Sequence, residues 1–171
     1  VAALFTEPRP DADAVAAGFA RVQTTAGGLA HIRLGEHFLD IYTEEAGSIV
    51  HLPALGILLG GVYGSDAVPP RLGPNANGDE ALDTLRLIAR ILKSRHFQLY
   101  IPHIGSLVED KLTIMERLAA DVAYIHGLRR VIPSLAQTGE PWEAVEAVGA
   151  SLLPAAMQTP AAQAIHAANL R

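Results

Sequence analysis

Apolar and polar positions follow two different periods along this chain, and the switches between them mark its elements. Residues 1 to 6, Val1-Ala2-Ala3-Leu4-Phe5-Thr6, are almost uniformly apolar, the pattern of a short strand buried on both faces. The Pro-punctuated turn Glu7-Pro8-Arg9-Pro10 leads to Asp11, which caps a helix predicted to about Gln23, with Val15, Phe19 and Val22 on one stripe. Beyond Gly27-Gly28 the period shortens. Leu29 to Leu34 and His37 to Tyr42, joined by Gly35-Glu36, predict a hairpin. Ser48 to Leu52 and Gly56 to Leu59 flank the turn Pro53-Ala54-Leu55 and complete an antiparallel run of short strands.

Residues 60 to 80 carry Gly60-Gly61, Gly64, Pro69-Pro70 and Gly73-Pro74-Asn75, and read as one long loop. A helix follows from about Asp79 to Ser94 on the stripe Leu82, Leu85, Ile88 and Leu92, and then a strand from His96 to Ile101, ended by Pro102. The next helix is predicted from about Val108 to His126, burying Leu112, Met115, Leu118 or Ala119, Val122 and Ile125, with Gly127 as its stop. Pro141-Trp142 opens a helix to about Ala150, and Thr159-Pro160 opens a last one to Arg171. No repeat or interdomain linker interrupts the order. One α/β (α+β) layered sandwich spanning 1–171 accounts for it.

Composition narrows the partners. A chain of 171 residues fits one domain that buries roughly 70% of its unfolded surface. Charged residues break every apolar run short of the ~18 needed to span a bilayer, so no membrane partner is expected. Lys and Arg number 13 against 18 Asp and Glu, and only Arg129-Arg130 are paired, which argues against nucleic acid. The absence of cysteine removes disulfides and thiolate metal sites and suits the reducing cytoplasm. The chain opens on Val1 with no basic-then-apolar leader, which reads as a trimmed start or a fragment.

Several segments, in order, resemble the metallo-β-lactamase-fold family of metal-dependent hydrolases. Thr6 to Ala12 is similar to its Thr-His-x-His-x-Asp-His motif, with Glu7, Arg9 and Ala12 at the histidine positions and Asp11 unchanged. Tyr42 to Val50 resembles the Gly-His-Thr-x-Gly-Ser hairpin, with Glu44 at the ligand position. Gly56 to Val62 is similar to the strand ending in Gly-Asp; Val62 replaces the bridging Asp, and Asp66 lies further on. Leu99 to Gly105 resembles the strand ending in Pro-x-His-Gly, with Ile104 at the ligand position and His103 one residue early. The helix beginning near Val108, with Tyr124 toward its end, also resembles the family's helix after that loop. The resemblance implies an αββα sandwich shortened at its start.

Chemistry is where this sequence departs from that family. Hydrolytic zinc takes about three His or carboxylate ligands and keeps one position for water. Ala12, Val62 and Ile104 cannot coordinate, and the permanently charged Arg9 would repel a divalent ion. The expectation is a pseudoenzyme without cofactor, a binding or assembly module whose vestigial cleft is Glu7, Arg9, Asp11, Glu44, Asp66 and His103. Arg9 would replace the missing cation by neutralising Glu7, Asp11 or Glu44. Missing leading strands would expose an edge and part of the core, so a homodimer is expected. One alternative is a hydrolase holding a single Mn, Mg or Zn ion through Glu7, Asp11, Glu44 and His103 or Asp66, where oxygen ligands favour the harder ions. Another is a fragment whose working site lies elsewhere in a longer protein.

The other polar residues have plainer readings. Among the 7 histidines, His31, His37 and His51 fall on neighbouring strands and could cluster, yet none forms a His-x-His pair. Ser65 and Ser106 sit in Gly-containing loops, but neither lies in Gly-x-Ser-x-Gly. Gly60-Gly61-x-x-Gly64 has no helix directly after it, so it reads as a tight turn and not a phosphate cradle. Asp79-Glu80 and Glu109-Asp110 suit the positive ends of helix dipoles.

Overall fold

A five-stranded sheet in sequential order forms the frame. The computed structural model describes residues 28–44, 47–73, 76–139 and 141–171. The strands are β1 (Gly28–Leu34), β2 (His37–Glu44), β3 (Gly47–Leu52), β4 (Ile57–Leu59) and β5 (Leu99–Ile101). β1 to β4 pair antiparallel, as the alternation predicts, whereas β5 lies parallel to β4 after a helical crossover. The helices are α1 (Asp79–Ser94), α2 (Lys111–Thr138), α3 (Trp142–Ala150) and α4 (Pro160–Asn169). This is a mixed α/β architecture. The predicted strand at residues 1 to 6 and helix from Asp11 lie outside the described residues.

Register assigns each strand residue to a face. His31, Asp40, His51, Leu58 and Tyr100 form one cross-strand row, and Tyr42 and Ile49 share its face. Helices cover its β3 to β5 part, while Leu29, His31 and Phe38 on β1 and β2 are exposed. Ile49, Leu58 and Tyr100 join Leu82, Leu85, Ile88, Leu92, Ile114, Leu118 and Ile125 in a single buried cluster. The opposite face presents Ile32, Ile41, Val50, Leu52, Leu59 and Ile101, all only half-buried, and its strand positions include no Asp, Glu, Lys or Arg.

Two elements depart from expectation. β5 is confined to Leu99–Ile101, and α2 runs 28 residues to Thr138 in place of stopping near His126. Gly127 is no cap. A Cβ there would lie 3.1 Å from Leu152, so the glycine permits a close approach of the 152 segment to the helix. The cap is Gly139, at φ 69°. The buried stripe of α2 is also shifted: Ile114, Leu118, Asp121, Ile125 and Leu128 face the core, while Leu112 is 67% exposed. A carboxylate at the centre of the true stripe disguises it as a polar face. By contrast α1 matches its predicted bounds, and α4 begins where Thr159 accepts from Ala162 N, the cap and proline pairing expected.

Candidate functional site

Parallel pairing of β4 and β5 sends both chains out of one edge of the sheet, the end at which open α/β sheets bind ligands. Glu44, at the end of β2, leaves by the same edge, since β2 runs in the direction of β4. The loops carrying Val62, Asp66, His103 and Ile104 therefore meet there. Backbone bonds hold them: Gly60 N donates to Ile101 O at 3.0 Å, and His103 N to Gly61 O at 2.7 Å. Glu7, Arg9 and Asp11 lie outside the described residues, and Glu44 is described by its backbone alone.

Asp66 is already occupied by protein partners. Ser106 N donates to its Oδ1 at 2.9 Å and Arg117 Nη2 to its Oδ2 at 3.0 Å, while Arg117 Nη1 donates to Ser106 O at 2.9 Å. Burial pushes the carboxyl up, but the Ser106 bonds and the Arg117 charge outweigh it and hold Asp66 below its ordinary 3.8. Gly105, at φ 115°, makes the approach possible, because a Cβ there would meet Asp66 Oδ1 and Ser65 Oγ. The guanidinium thus bridges the loops after β4 and β5 with a charge-assisted fork. His103 and Ile104 are exposed.

Beneath this surface lies a polar anchor that the sequence pattern hides. Asp121, 2% exposed, accepts from Gly64 N at 2.7 Å. Burial pushes its carboxyl up to about 7 against the pull of that bond. Tyr100 Oη donates to Tyr63 O at 2.9 Å, and Gly60 leaves the room that the Tyr100 hydroxyl occupies. Ser65 is buried, its Oγ accepting from Ala67 N and Val68 N at 3.0 and 3.1 Å. Those two bonds make it a turn residue. Arg117 and Asp121 are the residues that motif reading misses. Asp121 had a signal, a single acid at heptad spacing among Ile114, Leu118, Ile125 and Leu128.

A second polar group lies on the core-bearing face of the sheet, from exposed His31 to buried His51. His31 Nδ1 lies 2.7 Å from Asp40 Oδ1, and His51 Nδ1 lies 3.7 Å from Asp40 Oδ2. His51 is buried, and burial holds its imidazole below the ordinary 6.5 despite Asp40. The expected trio of histidines is thus His31 and His51 about a carboxylate. His37 is exposed and belongs by register to the other face.

Val62 and Ile104 offer no donor atoms, both Asp66 oxygens are committed, and among the described residues no three His, Asp or Glu side chains converge as a metal cage. In its described part this edge is a surface braced by the contacts of Asp66 with Ser106 and Arg117. Among the described residues no helix is long and apolar enough to cross a membrane. Comparison of the sequence with protein-family models and with curated proteins returns no match.

Proposed function

We propose that this chain is a non-catalytic binding or assembly module on a metallo-β-lactamase-like αββα scaffold, working in the cytoplasm. The observation carrying this reading is the engagement of Asp66 by Arg117 and Ser106, with aliphatic Val62 and Ile104 in the neighbouring loop positions. A fixed guanidinium holds the acid that an ion would otherwise need, so this edge is suited to presenting a surface. In this reading Arg117 does for Asp66 what Arg9 would do for the acids of the first turn. The absence of cysteine supports a reducing compartment.

Self-association accompanies the reading. The uncharged sheet face of Ile32, Ile41, Val50, Leu52, Leu59 and Ile101 favours a second apolar layer, and a second copy meets it without like-charge repulsion. Metal analysis of the purified full chain after exposure to Zn²⁺ and Mn²⁺ tests the module against a hydrolase. Well under one equivalent is expected; a stoichiometric ion lost in Asp11→Ala would instead establish the single-metal enzyme built on Glu7, Asp11, Glu44 and His103.

A further inference from the structure

Leu72 and Ala76, from the segment between β4 and α1, and Leu128, Arg129, Ile132 and Pro133, from the second half of α2, line a pocket of about 350 Å³. Its two ends are braced. At one, Asn169 accepts from Leu72 N at 2.9 Å and donates to Pro70 O at 2.8 Å and to Tyr124 Oη at 3.1 Å. At the other, Arg129 Nη1 pairs with Asp79 Oδ1 at 2.8 Å, and Gly78 lies so near α2 that a Cβ would meet Ile125 at 2.8 Å. Pro133, which has no N–H to give to the turn before it, lies inside α2 and lines the pocket.

We propose that this pocket binds a small monocarboxylate with an apolar body. Leu72, Leu128, Ile132 and Pro133 supply the apolar walls. The head group is set by elimination. The Asn169 amide is spent on its three bonds, and Asn77 is turned to Asp79, donating to its Oδ2 at 2.7 Å and accepting from its N at 2.9 Å. Arg129 is the charged residue lining the space, its ion pair uses Nη1, and a guanidinium carries five N–H donors in all. A carboxylate shares that fork with Asp79 through charge-assisted bonds, whereas an ammonium head finds no acidic side chain among the lining residues. The volume is at the small end of ligand pockets, which favours a short chain.

Octanoate is the probe, titrated calorimetrically into the full-length protein beside octanol and octylamine. The expected result is one saturable octanoate site, with octanol at least about tenfold weaker, the worth of a charged hydrogen bond, and octylamine weaker still. Arg129→Gln reduces octanoate to the level of octanol, and Ala76→Phe, which fills the cavity from the exposed loop, abolishes both. Octanoate also raises the melting temperature of the unmodified protein, a readout independent of how well either variant folds. Absence of saturation at millimolar octanoate, octanol binding as well as octanoate, or undiminished binding in a folded Ala76→Phe variant would overturn the proposal.

Discussion

At the scale of single residues, the heaviest electrostatic commitment is Asp121. Its folded-state pKa of about 7 stands above the ordinary 3.8, so folding favours the protonated form. The associated stability is fully present below 3.8 and is lost as pH rises through about 7. Asp121→Asn keeps an acceptor for Gly64 N and removes the titration. Urea unfolding from pH 4 to 8 should find this variant gaining roughly 1 to 4 kcal/mol on the unmodified protein as pH rises, with opposing histidine effects cancelling in the difference. A pH-independent difference would contradict it. Gly60→Ala drives a methyl into the Tyr100 ring and hydroxyl and should cost about 3 kcal/mol in the same assay. Tyr100→Phe does not rescue it, because the ring carbon Cζ stands in the way as well. Both sites show the limit of reading residues from pattern. Gly60 was legible as a turn residue, but its reason is a tyrosine on another strand, and Asp121 was hidden by the assumption that a buried stripe is wholly apolar.

Among the elements, local signals were legible where the cause is local. α1 carries its stripe and first-turn acids, and α4 its Thr159-Pro160 start. α2 was misread because Gly127 resembles a stop, yet its cause is tertiary: it accommodates Leu152. The parallel placement of β5 has no local signal either, since strand direction is set by the crossover through α1. α4 is held by a buried chain in which His166 Nε2 donates to Gly149 O at 3.0 Å, so its Nδ1 accepts from Tyr124 Oη at 2.8 Å. Tyr124→Phe leaves that nitrogen without its donor and should cost about 1 to 3 kcal/mol by chemical denaturation. Burial holds His166 below 6.5, so its contribution is present above 6.5 and is lost as pH falls through the lower folded value. Hydrogen-exchange protection in α4 should therefore drop on acidification before that of α1. Equal loss in both helices would contradict this assignment.

For the molecule as a whole, the sheet divides the argument in two. One face carries the core, and the other presents the half-buried Ile32, Ile41, Val50, Leu52, Leu59 and Ile101 with no Asp, Glu, Lys or Arg among its strand positions. Light scattering at micromolar concentration should give a dimer, and Val50→Lys at the centre of that face should return it to a monomer with α1 and α2 still protected; a monomeric unmodified protein would remove the expectation. The candidate edge was legible in part. β2, whose last residue is Glu44, ends at the same sheet edge as the strands that lead to Asp66 and His103, whereas the arginine that holds Asp66 lies 51 residues further on, a pairing no motif spacing announces. The proposed exchange of a metal's role for a guanidinium's is the centre of the account. Metal content of the purified full chain, measured after equilibration with Zn²⁺ and Mn²⁺ and compared with Asp11→Ala, tests it most directly. The account predicts well under one ion per chain and no change on substitution, and one tightly held ion that Asp11→Ala releases would contradict it.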